Sequence, residues 1–436
     1  MKEGDFLSTT SILLSLSISL LAGLLLSRLA KVVHLPAVTA YLVAGILVGP
    51  FVLGMFGFEG FGFTSLEEVE SYSILCDLAL GFIAFSIGNE FRLAQLKEIG
   101  KKATVIGILQ AVVTTALVDV VLICLHFAGF ISLPAAIVLG AIASATAPAA
   151  TLMVVRQYKA KGPVTDILLP VVALDDAVGL VLFAISFGVA KALTAAGTPN
   201  ILQIILEPTL EVILSLALGF VMGLLFTLTE RFFHSRSKRM AVSVTFVMLT
   251  VALSTLKFEI EAIGVHVGFS SLLVCMMLGT VFCNMCDFSE ELMDRVDRWT
   301  APLFVLFFVL SGAELDFTVF STVGVVIVGI AYIASRSVGK MLGANISARM
   351  TGCDKNIIKY LGITLLPQAG VALGMASKAV ELGSDGIIVQ SITLFAVLVY
   401  EIVGPFLTKV ALTKAGDIQP EGRVSARDVA KDAATQ

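Results

Sequence analysis

Apolar segments recur along almost the whole chain, from residue 8 to residue 413, with only short polar segments between them. A run of about twenty apolar residues crosses the ~30 Å hydrocarbon core of a bilayer as one helix. None of the polar segments is long enough for a soluble domain of ~100 residues. The pattern predicts about thirteen membrane-spanning helices, at residues 8–31, 35–55, 71–90, 103–128, 132–157, 164–191, 207–230, 240–257, 262–284, 300–314, 318–348, 355–381 and 385–412.

The composition is that of a membrane protein. Of the 436 residues, 57% are hydrophobic and 14% are charged, whereas a soluble domain carries roughly 25% charged residues. A lipid bilayer is the solvent that suits such a chain. The predicted fold class is therefore an all-α polytopic membrane protein, for which we expect no cofactor and no nucleic-acid partner.

Basic residues concentrate in every second connection between the predicted spans. One set of connections holds Arg28, Lys31, Arg92, Lys97, Lys101, Lys102, Arg156, Lys159, Lys161, Arg231, Arg236, Lys238, Arg239, Arg295, Arg298, Arg349 and Lys355. The opposite set has little beyond Lys2, Lys191, Lys257 and Lys378. Because basic loops remain cytoplasmic, the N-terminus is predicted outside and the C-terminus inside, with a disordered cytoplasmic tail after Lys414.

Two adjacent carboxylates, Asp175 and Asp176, lie in the middle of the sixth predicted span, in PVVALDDAVGLVLF. A charge near the bilayer centre costs at least ~2.5–3.5 kcal/mol, so residues retained there need a partner or a function. Neighbouring residues of a helix point ~100° apart. One carboxylate can therefore face a cavity while the other faces an adjacent helix.

Two basic residues, Arg336 and Lys340, lie four residues apart in the eleventh span and so share one helical face. They need anions opposite, which the aspartate pair would supply, and Glu314 could face Arg336. The alternative is that both cations extend to the inner interface, but Lys340 lies ~15 Å from the cytoplasmic end of its helix. Weaker candidates among acids in or near the spans are Asp77, Asp119, Glu211 and Glu401.

Helix-breaking residues lie at the centres of the fifth span, GAIASATAPAATLMVV, and the twelfth, GITLLPQAGVALGMAS. They are Thr146, Ala147 and Pro148 in the fifth span, and Pro367, Gln368 and Gly370 in the twelfth. Interrupted backbone at membrane depth is tolerated only where protein or a water-filled cavity satisfies it. The paired breaks predict inverted repeats with two crossing discontinuous helices near the midplane, although two simple proline kinks are the alternative. Free carbonyls and the Thr146 hydroxyl could then coordinate a cation.

Taken in order, several motifs resemble those of the monovalent cation:proton antiporter superfamily, in its NhaA/NapA-like sodium/proton antiporter branch. They are LPAVTAYLVAGILVGP at 35–50, the broken fifth span, the Asp-Asp pair, the lysine of VGKMLG and the broken twelfth span. The resemblance implies that Asp176 is the main carrier of the ion and the proton. Asp175 would be its partner, salt-bridged to Lys340 when no sodium is bound, and Thr146 would help both aspartates to ligate Na⁺.

The resemblance also implies a homodimer in the plasma membrane (the bacterial inner membrane). Dimerisation-domain helices would occupy residues 1–98 and 236–316, and a core transport domain residues 99–193 and 317–413. Residues 194–235 would form a linker span, and 414–436 the cytoplasmic tail.

The chain departs from the electroneutral relatives, which carry Asn-Asp in the sixth span and Thr-Asp-Pro in the fifth. Here the fifth span reads Thr146-Ala147-Pro148, so an acidic ligand is missing. Arg336 nevertheless resembles the arginine of that electroneutral branch, which leaves the charge stoichiometry open.

The expected function is exchange of Na⁺ or Li⁺ for H⁺, because both would compete for the same carboxylates. One sodium ion displacing two protons would make the exchange electrogenic. The alternatives are K⁺/H⁺ antiport, a sodium-coupled organic-anion symporter and a cation channel. An intramembrane aspartyl protease needs carboxylates on two facing helices, which adjacent aspartates do not provide, so no enzyme is expected.

Overall fold

The computed structural model describes residues 9–32, 37–57, 61–89, 91–147, 151, 154–155, 158–194, 201–256, 258–260, 265–315 and 317–418. These residues form mostly α-helices. In chain order they are α1 (Thr9–Val32), α2 (Ala37–Val48), α3 (Leu66–Glu70), α4 (Ser73–Asn89), α5 (Leu93–Phe127), α6 (Leu133–Ile142), α7 (Pro163–Thr194), α8 (Ile201–Phe232), α9 (Arg236–Ser254), α10 (Ser271–Met285), α11 (Ser289–Ala313), α12 (Val323–Met350), α13 (Lys355–Thr364), α14 (Gly370–Ala379) and α15 (Ser384–Ala415). Short 3₁₀ turns cover Gly54–Phe56, Phe317–Ser321 and Val380–Leu382.

Among the described residues, eight helices are long and apolar enough to cross a membrane, and four shorter apolar helices accompany them. The predicted all-α membrane fold is confirmed, while the number of thirteen crossings stays a prediction. The predicted ninth span, 262–284, begins too early, because α10 begins only at Ser271. Before it, Phe258–Ile260 (β1) and Val265–Val267 (β2) pair as an antiparallel hairpin.

Both predicted helix breaks are present. Helix α6 starts at a Ser132 cap, whose side chain accepts a hydrogen bond from the Ala135 N–H, and ends at Ile142. The backbone is then non-helical up to Ala147. Helices α13 and α14 are likewise separated by a non-helical stretch at residues 365–369. Pro148, predicted as part of the first break, lies outside the described residues.

Small residues allow close approach where helices cross. A Cβ atom on Gly343 of α12 would lie 2.9 Å from the Cα of Gln110 on α5. A Cβ on Gly45 of α2 would clash with the Val309 carbonyl of α11. Such contacts between backbones stabilise helix pairs in a membrane, where the hydrophobic effect does not drive helices together. The α5–α12 contact brings the middle of α12 next to α5 and so positions the site described below.

The residues that follow α15 are attached to the beginning of α7. Asp417 Oδ2 accepts hydrogen bonds from the Thr165 backbone N–H at 2.7 Å and from the Thr165 hydroxyl at 2.8 Å. The Lys161 N–H donates to the Asp417 carbonyl at 2.9 Å. The first N–H groups of a helix lack partners within it and favour negative charge. Asp417 therefore caps helix α7.

Candidate ion-binding site

A buried ion pair joins α7 to α12. The Nζ atom of Lys340 lies 2.6 Å from Asp175 Oδ2, and both side chains are fully buried. Removing two charges from water is costly, and their mutual attraction offsets that cost only where further hydrogen bonds satisfy the remaining donors and acceptors. The contacts of these two residues therefore decide whether the pair is tolerated.

The lysine ammonium has oxygen partners on two other segments. Thr146 Oγ1, in the break after α6, lies 2.9 Å from Nζ, and Gln110 Oε1 of α5 lies 3.1 Å away. The backbone carbonyl of Ser144 also accepts from Nζ. Together with Asp175, these groups surround the ammonium with a carboxylate, a hydroxyl, an amide and a backbone carbonyl oxygen.

The carboxylate of Asp175 is bonded through both oxygens. Gln110 Nε2 donates to Oδ1, and the Thr146 hydroxyl donates to Oδ2, which also pairs with Lys340. Residues from α5, α7, α12 and the first helix break thus form one connected polar cluster in an apolar surrounding. Asp176, the next residue of α7, is 2% exposed.

The two helix breaks touch each other. The Ala147 N–H donates to the Pro367 carbonyl at 2.9 Å. Gln368 Nε2 donates to the Ile142 carbonyl at 3.0 Å and to the Tyr332 hydroxyl at 3.1 Å. Gly370 is the first residue of α14. The non-helical segments therefore satisfy part of each other's backbone, as interrupted helices in a membrane require.

Arg336 has another environment than the one expected from the sequence. Its guanidinium donates to the carbonyls of Ala143 at 3.0 Å, Ala145 at 2.7 Å and Leu366 at 2.7 Å. These carbonyls lie just beyond the C-terminal ends of α6 and α13, where the helix dipoles place partial negative charge. Arg336 therefore binds the helix breaks and not the aspartate pair.

Glu314 is not the counter-ion of Arg336 that the sequence suggested. Its Oε2 accepts a hydrogen bond of 2.6 Å from Gln390 of α15, and the arginine is already occupied by three carbonyls. The physical reason is that two helix C-termini supply the negative charge that Arg336 needs. Glu314 therefore lies outside the polar cluster of Asp175 and Lys340.

Sequence reasoning missed Gln110 and Ser144. The signal for Gln110 was present, because it is a polar side chain in an otherwise apolar stretch, VIGILQAVV, within a predicted span. Ser144 takes part through its backbone carbonyl, so its side chain gave no indication. Its participation depends on where α6 ends.

Comparison with known proteins gives consistent matches over nearly the whole chain. The family model for the transmembrane sodium/hydrogen exchanger matches residues 16–414. The Na(+)/H(+) antiporter NhaS4 of Synechocystis sp. is 25% identical over 415 residues, covering 92% of this chain and 96% of the relative. The K(+)/H(+) antiporter subunit KhtU of Bacillus subtilis is 20% identical over 390 residues, covering 88% and 89%.

The fold also matches a solved structure, that of the sodium proton antiporter MjNhaP1 from Methanocaldococcus jannaschii. The TM-score is 0.72 at 16% sequence identity, and the match covers 93% of this chain and 99% of the other. At this identity the likeness concerns the fold alone.

Proposed function

The chain belongs to the transmembrane sodium/hydrogen exchanger family, and from this we infer that it exchanges Na⁺ or Li⁺ for H⁺ at Asp175 and Asp176 by alternating access. The family consists of transporters and not of enzymes. The observation that carries the assignment to this site is the Lys340 ammonium held by oxygens at 2.6–3.1 Å, Asp175 among them. A group of charge +1 already occupies a buried oxygen cluster.

Competition for the carboxylates explains the exchange. A sodium ion that binds Asp175 takes the place of the lysine ammonium, and a proton that binds either aspartate removes the negative charge that holds sodium. Each substrate therefore releases the other. An unpaired buried charge is disfavoured, so the site crosses between the two sides with its carboxylates protonated, paired with Lys340 or bound to sodium.

The same site supports electrogenic exchange. When sodium displaces Lys340 from Asp175, burial disfavours the unpaired ammonium, which then gives up its proton. Asp176 supplies the second proton, so that one sodium ion exchanges for two protons. Arg336 supports this assignment because its donors reach three backbone carbonyls, which leaves Lys340 as the cation paired with Asp175.

Alternating access would use two bodies. We assign residues 99–193 and 317–413 to a moving core, residues 1–98 and 236–316 to a dimerisation domain, and residues 194–235 to the linker. The protein would form a homodimer in the plasma membrane, with the N-terminus outside and residues 414–436 in the cytoplasm.

Two polar contacts cross the boundary between these bodies. Lys378 of α14 pairs with Asp77 of α4 at 2.6 Å, and Gln390 of α15 donates to Glu314, just after α11, at 2.6 Å. In the assigned orientation both lie in the outer half of the membrane. Both contacts must break when the core moves against the dimerisation domain.

K⁺/H⁺ antiport is the second candidate, because the K(+)/H(+) antiporter subunit KhtU is among the relatives.

The test of both candidate functions is proton movement in proteoliposomes, followed with a pH-sensitive dye while Na⁺, Li⁺ and K⁺ are added in turn. Recovery of the dye signal with Na⁺ and Li⁺ is expected. Recovery with K⁺ alone would favour the second candidate, and none with any cation would contradict antiport.

A further inference from the structure

The side chain of Gln110 contacts both members of the buried ion pair. Its Nε2 donates to Asp175 Oδ1, and its Oε1 accepts from Lys340 Nζ at 3.1 Å. Nε2 also donates to the Gly107 carbonyl of the same helix at 3.3 Å. The amide is fully buried, and each of its two polar atoms has a partner.

Charge fixes the orientation of this amide. Turning it by 180° would set its oxygen against the Asp175 carboxylate and its NH₂ group against the Lys340 ammonium, and both contacts would be repulsive. The backbone is held as well, since α12 approaches Gln110 so closely that a Cβ on Gly343 would lie 2.9 Å from its Cα. The lone pairs of Oε1 therefore stay directed at the position of Nζ.

That position has the properties of a cation site. An ammonium carries three hydrogens, yet four oxygens converge on Nζ, from Asp175, Thr146, Ser144 and Gln110. Carbonyls of unwound backbone are known ligands of alkali cations within membranes. An ion with no directional bonds can use all four oxygens at once, whereas the ammonium donates at most three hydrogen bonds.

We propose that Gln110 is a ligand of the transported cation and a determinant of its selectivity. When Lys340 leaves Asp175, Gln110 Oε1 and the Ser144 carbonyl bind the incoming cation in place of the ammonium. This rests on the proposed function, because it requires that a transported cation replaces the ammonium. The bonds to Asp175 and Gly107 hold Oε1 at one place, so ions of different radius meet this ligand unequally well.

The test compares Gln110→Met with the unchanged protein in proteoliposomes. Methionine keeps the length and burial of the side chain and removes the amide. We expect the half-saturating Na⁺ concentration to rise about tenfold or more, the scale for one contact to a charged group. The ratio of half-saturating concentrations among Na⁺, Li⁺ and K⁺ should change as well.

Thr114→Val is the matched control. Thr114 is equally buried, one turn further along α5, and its hydroxyl donates only to the Gln110 backbone carbonyl at 2.6 Å among the contacts the structure describes. Valine has nearly the same shape. The half-saturating Na⁺ concentration and the ratio of half-saturating concentrations among the three ions should therefore stay at the wild-type values. This variant reports what a packing change on the same helix does.

Unchanged half-saturating concentrations in Gln110→Met would overturn the proposal. An equal loss of maximal rate for all three ions, with their ratios unchanged, would also overturn it, because that is the signature of a packing role. If this variant does not accumulate, Gln110→Asn keeps the amide but withdraws its oxygen by one methylene group, and the same two quantities decide. A wild-type protein that exchanges no cation for protons would instead contradict the proposed function itself.

Discussion

Lys340 Nζ and Asp175 Oδ2 lie 2.6 Å apart in a place that solvent does not reach. The pair joins α12 to α7, and each partner leaves the other as an uncompensated buried charge if it is removed. Breaking a buried pair in this way typically costs ~3–5 kcal/mol, whereas replacing both partners by neutral groups often costs little. Transport and stability are thus both expected to depend on these two side chains, and separate measurements can distinguish the two effects.

Asp176→Asn should abolish exchange and leave a folded, membrane-inserted protein, because the amide carries neither a titratable proton nor the negative charge that sodium needs. Sodium-driven proton release in proteoliposomes is the measurement. Asp166→Asn makes the same change on the same helix at an exposed position and should exchange normally. Normal release from Asp176→Asn would show that another group carries the ions.

Lys340→Met should lower the free energy of unfolding by ~3–5 kcal/mol, because Asp175 is left unpaired. The double variant Asp175→Asn/Lys340→Met should regain most of that loss. Thermal unfolding in detergent measures both, with Lys355→Met at an exposed position as the control. Equal melting temperatures of the single and double variants would mean that the unpaired Asp175 carboxylate is not the cause of the loss of stability.

A sodium jump should give a sustained, pH-dependent current on a solid-supported membrane, since one sodium ion exchanges for two protons. Lys340→Gln removes the ammonium proton that is released when sodium binds Asp175. Any exchange that remains in this variant should carry no steady current. Transport by the wild-type protein without steady current would mean one-for-one exchange, and the assignment of a proton to Lys340 would be wrong.

Arg336→Lys should destabilise the protein by ~1–3 kcal/mol although it keeps the charge, because an ammonium cannot reach three carbonyls with the planar geometry of a guanidinium. Arg349→Lys, at an exposed position of the same helix, should have little effect. Thermal unfolding of the two variants is compared. A melting temperature of Arg336→Lys equal to that of Arg349→Lys would contradict this role of the Arg336 guanidinium.

Cysteines in place of Asp77 and Lys378, bridged by a short bis-methanethiosulfonate reagent in a background without native cysteines, should stop exchange until the bridge is reduced. The reason is that this pair joins the two bodies that move in the proposed mechanism. The control is the matched pair of cysteine substitutions at Lys191 and Glu381. The Nζ atom of Lys191 lies 2.9 Å from Glu381 Oε2, and both residues belong to the assigned core. The bridge across this pair should leave exchange intact, and equal behaviour of the two pairs would argue against the assigned boundary.

The helical fold followed from the sequence because the length and apolarity of a membrane span are set by the bilayer. The exception was the beginning of α10. Residues 258–267 read FEIEAIGVHV, and a short stretch rich in β-branched and aromatic residues does not distinguish a strand from the start of a buried helix by apolarity alone. The positions of both helix breaks followed from proline and small residues in otherwise apolar spans.

The candidate site was predictable only in part. Asp175, Asp176 and Lys340 are conspicuous because ionisable residues are rare at membrane depth. The partners of Arg336 were not predictable, since they are backbone carbonyls, and any residue carries one. Gln110 was overlooked because a single amide has no charge, and its role depends on how α5, α7 and α12 meet.

The cap that Asp417 places on α7 has a practical consequence for anyone who modifies the C-terminal end. Helix α7 carries Asp175 and Asp176, and its first turn is held by a residue only two positions beyond α15. A fluorescent reporter or purification tag should therefore be fused well after Ile418. A truncation ending before Asp417 would leave the Thr165 N–H without its cap, and would alter the protein at the helix that bears the aspartates.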